Sequence, residues 1–468
     1  MKATVQALIR WGSFATALGP IWGTAHGQWQ SLAGGVSNPV RTFSVDPNET
    51  HLLVGGSFPW LNADSQRVNN IAAWDGTEWS SEGTGGGNGN MWEYGTTDPV
   101  LSLVNWHDTL YTGFLSNMWQ MDPGIRHAAY LADDIWHAFP AQPSGGTLFA
   151  MLNGRLFMGG NSNYLDTVTF PGLCEINGGE FVPLPGIPFN PHADIVAFEY
   201  WHNTYYFGGI TYDELGSRNI VSYDGMDQWS PLAEGIGGNH INCIRGYGDS
   251  LYVGGFFNPG PNVESRHIQI WDGAAWHPFF PEQVEFVSQV FDMKVYDDAL
   301  WICGNFQFTG DQTIYGILRF DGQQLCAIGG PINPTDNNAI AFFQNNLYMA
   351  VGYDFPGLEY EWIGRLPLEG LVPDECVEVT TGIATTGVFG NPLNMYPNPA
   401  IDEVTITGMA GDQGRRLEIL DVLGRSVLPP VRINATSMKL DVAALSVGCY
   451  ELRLVSSGGI RVKRFLKR

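Results

Sequence analysis

Short apolar runs that end in glycine recur along most of the chain, each followed by polar turn residues. The copies are LLVGG at 52–56, LYTG at 110–113, LFMGG at 156–160, YYFGG at 205–209, LYVGG at 251–255, LWICG at 300–304 and LYMAV at 347–351. Their starts lie 58, 46, 49, 46, 49 and 47 residues apart. Runs this short and rich in aromatic residues predict strands, and this period suits a four-stranded sheet with its turns.

An aromatic-Asp-Gly turn follows most copies and precedes another large apolar residue. The instances are WDG at 74–76 before Trp79, YDG at 223–225 before Trp229, WDG at 271–273 before Trp276, FDG at 320–322 before Leu325 and the variant ING at 176–178 before Phe181. Asp-Gly and Asn-Gly are typical of two-residue hairpins, in which both central residues have positive φ. We therefore predict a two-residue turn between the third and fourth strands of each sheet.

The two ends of the repeat region complement each other. The seventh copy is followed by WIGRL at 362–366 but by no aromatic outer strand, whereas WQSLAGG at 29–35 resembles WSPLAEG at 229–235. An N-terminal strand that completes the last sheet would remove both open edges. The predicted fold class is all-β, with a seven-bladed β-propeller over residues 28–372 that is closed by an N-terminal strand.

The repeats resemble those of kelch-type propellers and of the related "WDG...W" repeats in bacterial surface proteins. The resemblance depends on the glycine-ended strand, the aromatic-Asp-Gly turn and the later Trp, and it implies a fold without implying a reaction. The chain lacks the paired Gly-His and Trp-Asp marks of WD repeats. The sialidase Asp-box is not met at Asp224 and Gly225, because no residue separates them.

The first 27 residues have the features of a secretory signal peptide. Lys2 and Arg10 precede an interrupted apolar run, and small residues lead to a cleavage site predicted between Gly27 and Gln28. No later run approaches the roughly 20 apolar residues of a transmembrane helix. We expect a chain without a transmembrane segment that passes through the periplasm.

Composition changes after residue 372. A linker rich in Thr and Gly is predicted over 373–390, followed over 391–468 by alternating apolar runs that suit a small Ig-like β-sandwich. This last part resembles the type IX secretion sorting domain of Bacteroidota. The resemblance implies binding to the type IX secretion machinery, and a protein that is secreted or attached to the outer-membrane surface. The positions that carry it are Tyr396, Pro397, Asn398, Pro399, Asp421, Gly424, Arg425, Gly448, Tyr450 and Lys463.

Charge is unevenly distributed around a formal total of -24. Residues 382–468 hold 11 basic and 7 acidic residues, whereas residues 28–381 hold 10 basic and 40 acidic ones. An acidic surface of this kind repels phosphate backbones, so we expect no nucleic-acid partner. Solubility at a cell surface accounts for it as well as an electrostatic binding role does.

Cysteines and histidines give no metal or cofactor signature. The six cysteines form no C-x-x-C pair, and the ten histidines form no H-x-H or H-E-x-x-H motif. Cys303 and Cys326 are candidates for a disulfide within one sheet, with buried thiols as the alternative. We expect no cofactor, and structural roles for the histidines near turns: His107, His127, His137, His202, His267 and His277.

Loops after the second strands are where a propeller would carry its chemistry. The candidate acids there are Asp64, Asp122, Asp166, Asp213, Glu214, Glu264 and Asp311, and the candidate sugar-stacking aromatics are Trp60, Trp92, Trp119, Tyr164, Tyr212 and Phe256. Two hypotheses follow. A monomeric surface propeller that binds glycan or protein is favoured, because no complete catalytic motif is present. The alternative is a secreted polysaccharide hydrolase or lyase that uses loop carboxylates.

Overall fold

The computed structural model describes most of the repeat region and parts of the C-terminal region. The described residues are 29–61, 66–68, 70–81, 99–115, 127–133, 135–162, 164–166, 168–169, 172–188, 193–212, 215–257, 267–279, 284–334, 339–352, 358, 361–379, 394–396, 400–407, 416–420, 427–428, 431–432, 437–446, 448–456 and 459–468. The predicted signal peptide, with Gly27 and Gln28, lies outside them. The chain divides into two compact units, which are Met1–Thr169 with Glu175–Val182 and Val284–Glu378, and Phe170–Cys174 with Pro183–Gln283 and Val379–Arg468.

Three antiparallel sheets come first along the chain. The first contains β1 (Val40–Val45), β2 (Leu52–Gly56), β3 (Ile71–Trp74) and β4 (Trp79–Ser81). The second contains β5 (Val100–Trp106), β6 (Thr109–Phe114), β7 (Ala128–Ala132) and β8 (Ile135–Ala138). The third contains β9 (Thr147–Leu152), β10 (Arg155–Gly160), β13 (Cys174–Asn177) and β14 (Glu180–Pro183), with a separate hairpin of β11 (Tyr164–Leu165) and β12 (Val168–Thr169).

Two sets of four consecutive antiparallel strands follow in the second unit. One is formed by β15 (Asp194–Trp201), β16 (Thr204–Tyr212), β17 (Arg218–Tyr223) and β18 (Trp229–Pro231). The other is formed by β19 (His240–Tyr247), β20 (Ser250–Phe256), β21 (Ile268–Trp271) and β22 (Trp276–Pro278). Their shared hydrophobic cluster includes Ile220, Ile244 and Trp276.

Two further sheets in the first unit complete the repeats. One contains β23 (Val284–Tyr296), β24 (Ala299–Phe308), β25 (Ile314–Phe320), β26 (Gln324–Ala327) and, out of chain order, β30 (Glu375–Glu378). The other contains β27 (Ile340–Phe343), β28 (Asn346–Ala350) and β29 (Ile363–Pro367). All seven glycine-ended or related runs are second strands of their sheets, as predicted.

Two small sheets form the described C-terminal region. The first contains β31 (Asn394–Tyr396), β32 (Glu403–Thr407) and β35 (Ser437–Asp441). The second contains β33 (Arg416–Leu420), β34 (Val431–Arg432), β36 (Gly448–Ser456) and β37 (Gly459–Lys467). Both contribute to one buried cluster that includes Val404, Ile406, Ile419 and Leu452.

The all-β prediction is therefore confirmed for the described residues, which contain no helix. A helix with the length and apolar character that crossing a membrane requires is accordingly not found among them.

Glycine at the end of a second strand allows two neighbouring sheets to approach closely. A Cβ atom on Gly113 of β6 would lie 2.1 Å from the carbonyl oxygen of Thr147, at the start of β9. A Cβ on Gly55 of β2 would lie 2.6 Å from a methyl carbon of Val100 in β5. Because real Cβ atoms do not make such contacts, any larger residue would force the sheets apart.

Tryptophan side chains on the outer strands form hydrogen bonds to backbone carbonyls. Each of these carbonyls lies in a segment next to another outer strand. Trp276 Nε1 donates to the Leu232 carbonyl at 2.9 Å, and Trp229 Nε1 donates to the Pro185 carbonyl at 2.9 Å. Trp79 repeats the contact with Leu32 at 2.5 Å. Each indole thus packs as an apolar ring while its polar N–H is satisfied across sheets. This recurring contact was not predicted from the sequence.

The Asp-Gly turns lie between the third and fourth strands as predicted, but the predicted two-residue geometry is wrong. Trp74 pairs with Trp79, so four residues form that loop. Gly76 has a positive φ of 105°, whereas Asp75 accepts hydrogen bonds through Oδ1 from the N–H groups of Thr77 and Glu78, each at 2.7 Å. The aspartate therefore satisfies the turn through its side chain.

True two-residue turns with positive φ occur elsewhere. They join the first and second strands of five repeats, at His107–Asp108, Asn153–Gly154, His202–Asn203, Asp297–Asp298 and Gln344–Asn345. Only Asn153–Gly154 contains glycine, so the other four lack the glycine that marks a hairpin in the sequence.

The start of the predicted linker is a strand. β30 pairs with β26, and Cys376 of β30 forms a disulfide with Cys326, whose pairing with Cys303 was the candidate from sequence. Cys303 is a buried thiol in β24. The sheets of the repeat region therefore extend beyond residue 372, to Glu378.

The N-terminal segment adds to the last sheet. Gln30 and Arg365 of β29 exchange two backbone hydrogen bonds, at 2.8 and 3.1 Å, and Trp29 Nε1 donates to the Gly329 carbonyl at 2.7 Å. Glu361 is only 4% exposed, and its carboxylate accepts hydrogen bonds from the Leu32 N–H at 3.1 Å and from the Ser31 hydroxyl. One buried acid thus holds both ends of the repeat region together.

We expect Glu361→Ala to lower the free energy of unfolding by about 2–3 kcal/mol, because it leaves the buried Leu32 N–H without an acceptor. Urea denaturation measures the change, and Glu369→Ala is the control, since Glu369 is exposed in the same region. Equal unfolding midpoints for the two variants would contradict the role given to Glu361.

Candidate functional site

The described loop acids are engaged in local structure. Asp166 Oδ1 accepts a hydrogen bond from the Gln142 N–H at 3.3 Å. Asp311 Oδ1 accepts from the N–H of Thr313 at 2.9 Å and from its hydroxyl at 2.8 Å, and these bonds hold the pKa of Asp311 below its usual range. A general acid requires a raised pKa, and that of Asp311 is lowered. The other candidates lie outside the described residues: Asp64, Asp122, Asp213, Glu214 and Glu264.

Three of the candidate aromatics are exposed at the end of a second strand or just after it. Trp60 is 44% exposed, Tyr164 is 48% exposed and Phe256 is 39% exposed. Trp92, Trp119 and the side chain of Tyr212 lie outside the described residues. Large exposed rings of this kind can stack on the apolar faces of sugars.

Trp60 is held on a short, regular ribbon. It forms a bridge with Arg67, whose guanidinium lies 5.8 Å from the ring centre, and its carbonyl accepts a hydrogen bond from the Ser37 N–H at 3.1 Å. Leu61 and Val68 on the same ribbon are buried. The buried face fixes the backbone and leaves the indole presented outward.

Phe256 lies among ring side chains of the second unit. Its ring is 5.6 Å from that of His267 and nearly parallel to it, and 6.0 Å from that of His240. Burial lowers the pKa of His240, so this ring is uncharged at neutral pH. Phe256 therefore packs against two imidazole rings, of which that of His240 is uncharged.

Histidines near the turns pack against tryptophan. His107 stacks on Trp106 at 4.3 Å and His202 stacks on Trp201 at 3.7 Å, and both histidines lie in the two-residue turns. Among the described residues, no three His, Cys, Asp or Glu side chains meet as metal ligands. These two histidines contribute packing at the turns, in keeping with the structural role predicted for them.

An acidic cleft of about 250 Å³ lies in the first unit, lined by Asp46, His51, Asn105, Asp108 and Asp133. Asp46 is committed to its own turn, since it accepts hydrogen bonds from the N–H groups of Thr50 at 2.6 Å and His51 at 2.9 Å. Burial raises its pKa, but the bonds from His51 and Thr50 outweigh this and lower it. The carboxylate stabilises the turn.

Only part of the predicted sorting motif can be located. Tyr396 pairs with Thr405 between β31 and β32, Gly448 pairs with Lys467, and Lys463 lies on β37. Tyr450 is buried against Phe465, and its hydroxyl donates to the Ser446 carbonyl at 2.9 Å. The remaining positions lie outside the described residues: Pro397, Asn398, Pro399, Asp421, Gly424 and Arg425.

Residues 394–468 match the family described as the secretion system C-terminal sorting domain. This part of the chain is therefore a type IX sorting domain, as the motif predicted, and the protein is one that is secreted or displayed at the cell surface. The domain implies an interaction with the type IX secretion machinery. No curated protein matches the chain.

Two solved structures from B. thetaiotaomicron are similar to the chain at low identity. One is the extracellular domain of a protein described as the one-component system BT4673, with 12% identity, a TM-score of 0.38, and coverage of 92% of this chain and 68% of that one. The other is the same region described as part of a hybrid two-component system, with 10% identity, a TM-score of 0.37, and coverage of 92% and 69%.

The Asp-Gly turns predict a pH dependence. Hydrogen bonds from the N–H groups of Met226 and Gln228 lower the pKa of Asp224. A carboxyl with a lowered folded pKa stabilises the protein above its unfolded pKa of about 4, and this stability is lost as the pH falls through the folded value. We expect Asp224→Asn to reduce stability at pH 7, and the difference from wild type to shrink below pH 4 in urea denaturation.

Asp194 provides a control of opposite sign. Burial raises the pKa of Asp194, so its ionisation opposes folding above the raised value, and Asp194→Asn should not reproduce the acid-dependent loss. A pH-independent difference between wild type and Asp224→Asn would rule out the charge-based role of Asp224.

Proposed function

We propose that this protein is an exported seven-bladed β-propeller that binds an extracellular glycan or protein through the loops after its second strands. The observation that carries this proposal is the exposure of Trp60 and Tyr164, each of which stands four residues after the glycine that ends a second strand. Aromatic side chains of this kind are enriched in recognition sites because they offer a large rigid surface at low entropic cost.

The proposed ring is supported by the number and similarity of the sheets and by the contacts of the N-terminal segment. Trp29 makes the same indole-to-carbonyl contact as Trp229 and Trp276, as expected if it belongs to the outer strand of the last blade. The backbone bridge between Gln30 and Arg365 lies where the missing outer strand is expected. A closed ring leaves no sheet edge open at the junction of the two ends.

Binding is favoured over catalysis because the carboxylates of the described loop acids are already engaged in hydrogen bonds. Asp166 and Asp311 accept hydrogen bonds within their own loops, and the pKa of Asp311 is lowered rather than raised. A glycosidase requires one carboxyl that stays protonated and a second at a set distance from it.

We expect Trp60→Ala to weaken binding to a responsive polysaccharide about tenfold, which corresponds to about 1.4 kcal/mol of lost stacking. Affinity electrophoresis in gels containing xylan, β-glucan, mannan or pectin measures the retardation. Met226→Ala is the matched control, because Met226 is 73% exposed but lies on an Asp-Gly turn.

Retardation by none of these gels, or equal retardation of the two variants, would contradict glycan binding through Trp60. If the polysaccharide that retards the protein also released reducing ends, the hypothesis of a hydrolase or lyase would be favoured instead.

The export route follows from the sorting domain. We propose a signal peptide cleaved between Gly27 and Gln28, transit of the periplasm as a monomer, and an Ig-like fold for the terminal domain. The two sheets that share the cluster around Val404 and Leu452 support that fold.

Deletion of residues 394–468 should leave the protein in the periplasm, because the part read by the secretion machinery is removed. Immunoblotting of periplasmic, surface and medium fractions measures this outcome. As a control, residues 379–468 fused to a periplasmic reporter should carry the reporter out. Export of the truncated chain would refute the assignment of the address to this domain.

A further inference from the structure

The five-stranded sheet has an outer edge that is covered by a later part of the chain. β30 pairs with β26 in a register that places Gln324 opposite Glu378, Cys326 opposite Cys376 and Ala327 opposite Glu375. Two contacts of Asp374 extend this pairing. Its N–H donates to the Ala327 carbonyl at 2.9 Å, and its Oδ2 accepts from the Gly330 N–H at 2.7 Å.

Little apolar surface holds β30 in place. Glu375, Cys376 and Glu378 are exposed, and Val377 is half-buried. The facing strand is different, since Leu325, Cys326 and Ala327 are all buried. A four-residue strand with so little burial is expected to open readily if backbone hydrogen bonds alone hold it.

The edge beneath β30 also lacks the protection found in the two sheets of the second unit. There the outer strands β18 and β22 have three residues each and end at Pro231 and Pro278, which have no N–H to offer a further strand. β26 contains no proline. Uncovered, it would present N–H and C=O groups to any extended peptide.

We propose that the Cys326–Cys376 disulfide is a lock that makes β30 a permanent cover of this edge, and that it fixes to the sheet the point where the chain departs for the sorting domain. The bond joins directly opposed residues, so it closes the strand pair at its centre. Any pull or cut on the chain beyond Glu378 then leaves the sheet edge covered. This inference is independent of the proposed ligand.

The lock opens by a two-electron reduction. A phosphine such as TCEP converts the disulfide to two thiols and is itself oxidised to the phosphine oxide with oxygen from water. Cys376 is exposed, so the reductant can reach it. Reduction should release β30 and uncover β26, while strands of other sheets keep their hydrogen bonds.

Hydrogen exchange with mass spectrometry on the full chain tests this inference. We expect slow exchange in residues 324–327 and 375–378 of the oxidised protein, and at least tenfold faster exchange in both segments after TCEP or in Cys376→Ser. Residues 250–256 of β20 should not change. The Cys376→Ser protein should show no further response to TCEP.

Glu378→Gln is the matched control, because it alters an exposed residue of the same strand and keeps the disulfide. Its exchange should match wild type. Equal protection in oxidised and reduced wild type would overturn the proposal even if the variant failed to fold. The proposal would also be overturned if the exported protein, digested without a reductant, gave no disulfide-linked peptide pair that contains Cys326 and Cys376.

Discussion

Neighbouring sheets in each unit pack at distances that exclude a Cβ atom at the end of the second strand, and the rest of the repeat region depends on this approach. At Gly113 the Thr147 carbonyl occupies the space that a side chain would need. Close packing brings the outer strands within reach of one another. The indole N–H groups of Trp276 and Trp229 can then donate to carbonyls in the segment that follows the preceding outer strand.

Both ends of the repeat region are secured by contacts that span hundreds of residues or by a covalent bond. The N-terminal segment is bound through Gln30, Leu32 and the buried Glu361, whereas the C-terminal strand is bound through Cys376. The two devices serve the same need, because an unpaired strand end at a cell surface invites pairing with other chains. The sorting domain lies beyond the second of them, so export and the integrity of the sheet are handled by separate parts of the chain.

The acidic character of the repeat region has a structural component that sequence counting did not reveal. Asp75, Asp224, Asp272 and Asp321 each accept backbone N–H groups in their turns, and Asp46 and Asp311 do the same elsewhere. These carboxylates are used for folding. Their oxygens are therefore already occupied by hydrogen bonds within the turns.

Sequence pattern alone was enough to predict the strand positions, the repeat period, the location of the turns and the type IX sorting domain. Each of these depends on local pattern: alternation, glycine at strand ends, Asp-Gly pairs and a contiguous motif. The turn geometry was mispredicted because the Asp side chain, rather than a positive φ at Asp75, closes the loop. The partner of Cys326, the role of Glu361 and the acceptors of the tryptophans are visible only in the folded protein. Those pairings join residues 44 apart, as for Trp276 and Leu232, 50 apart, as for Cys326 and Cys376, or 330 apart, as for Ser31 and Glu361, and they depend on how closely the sheets approach.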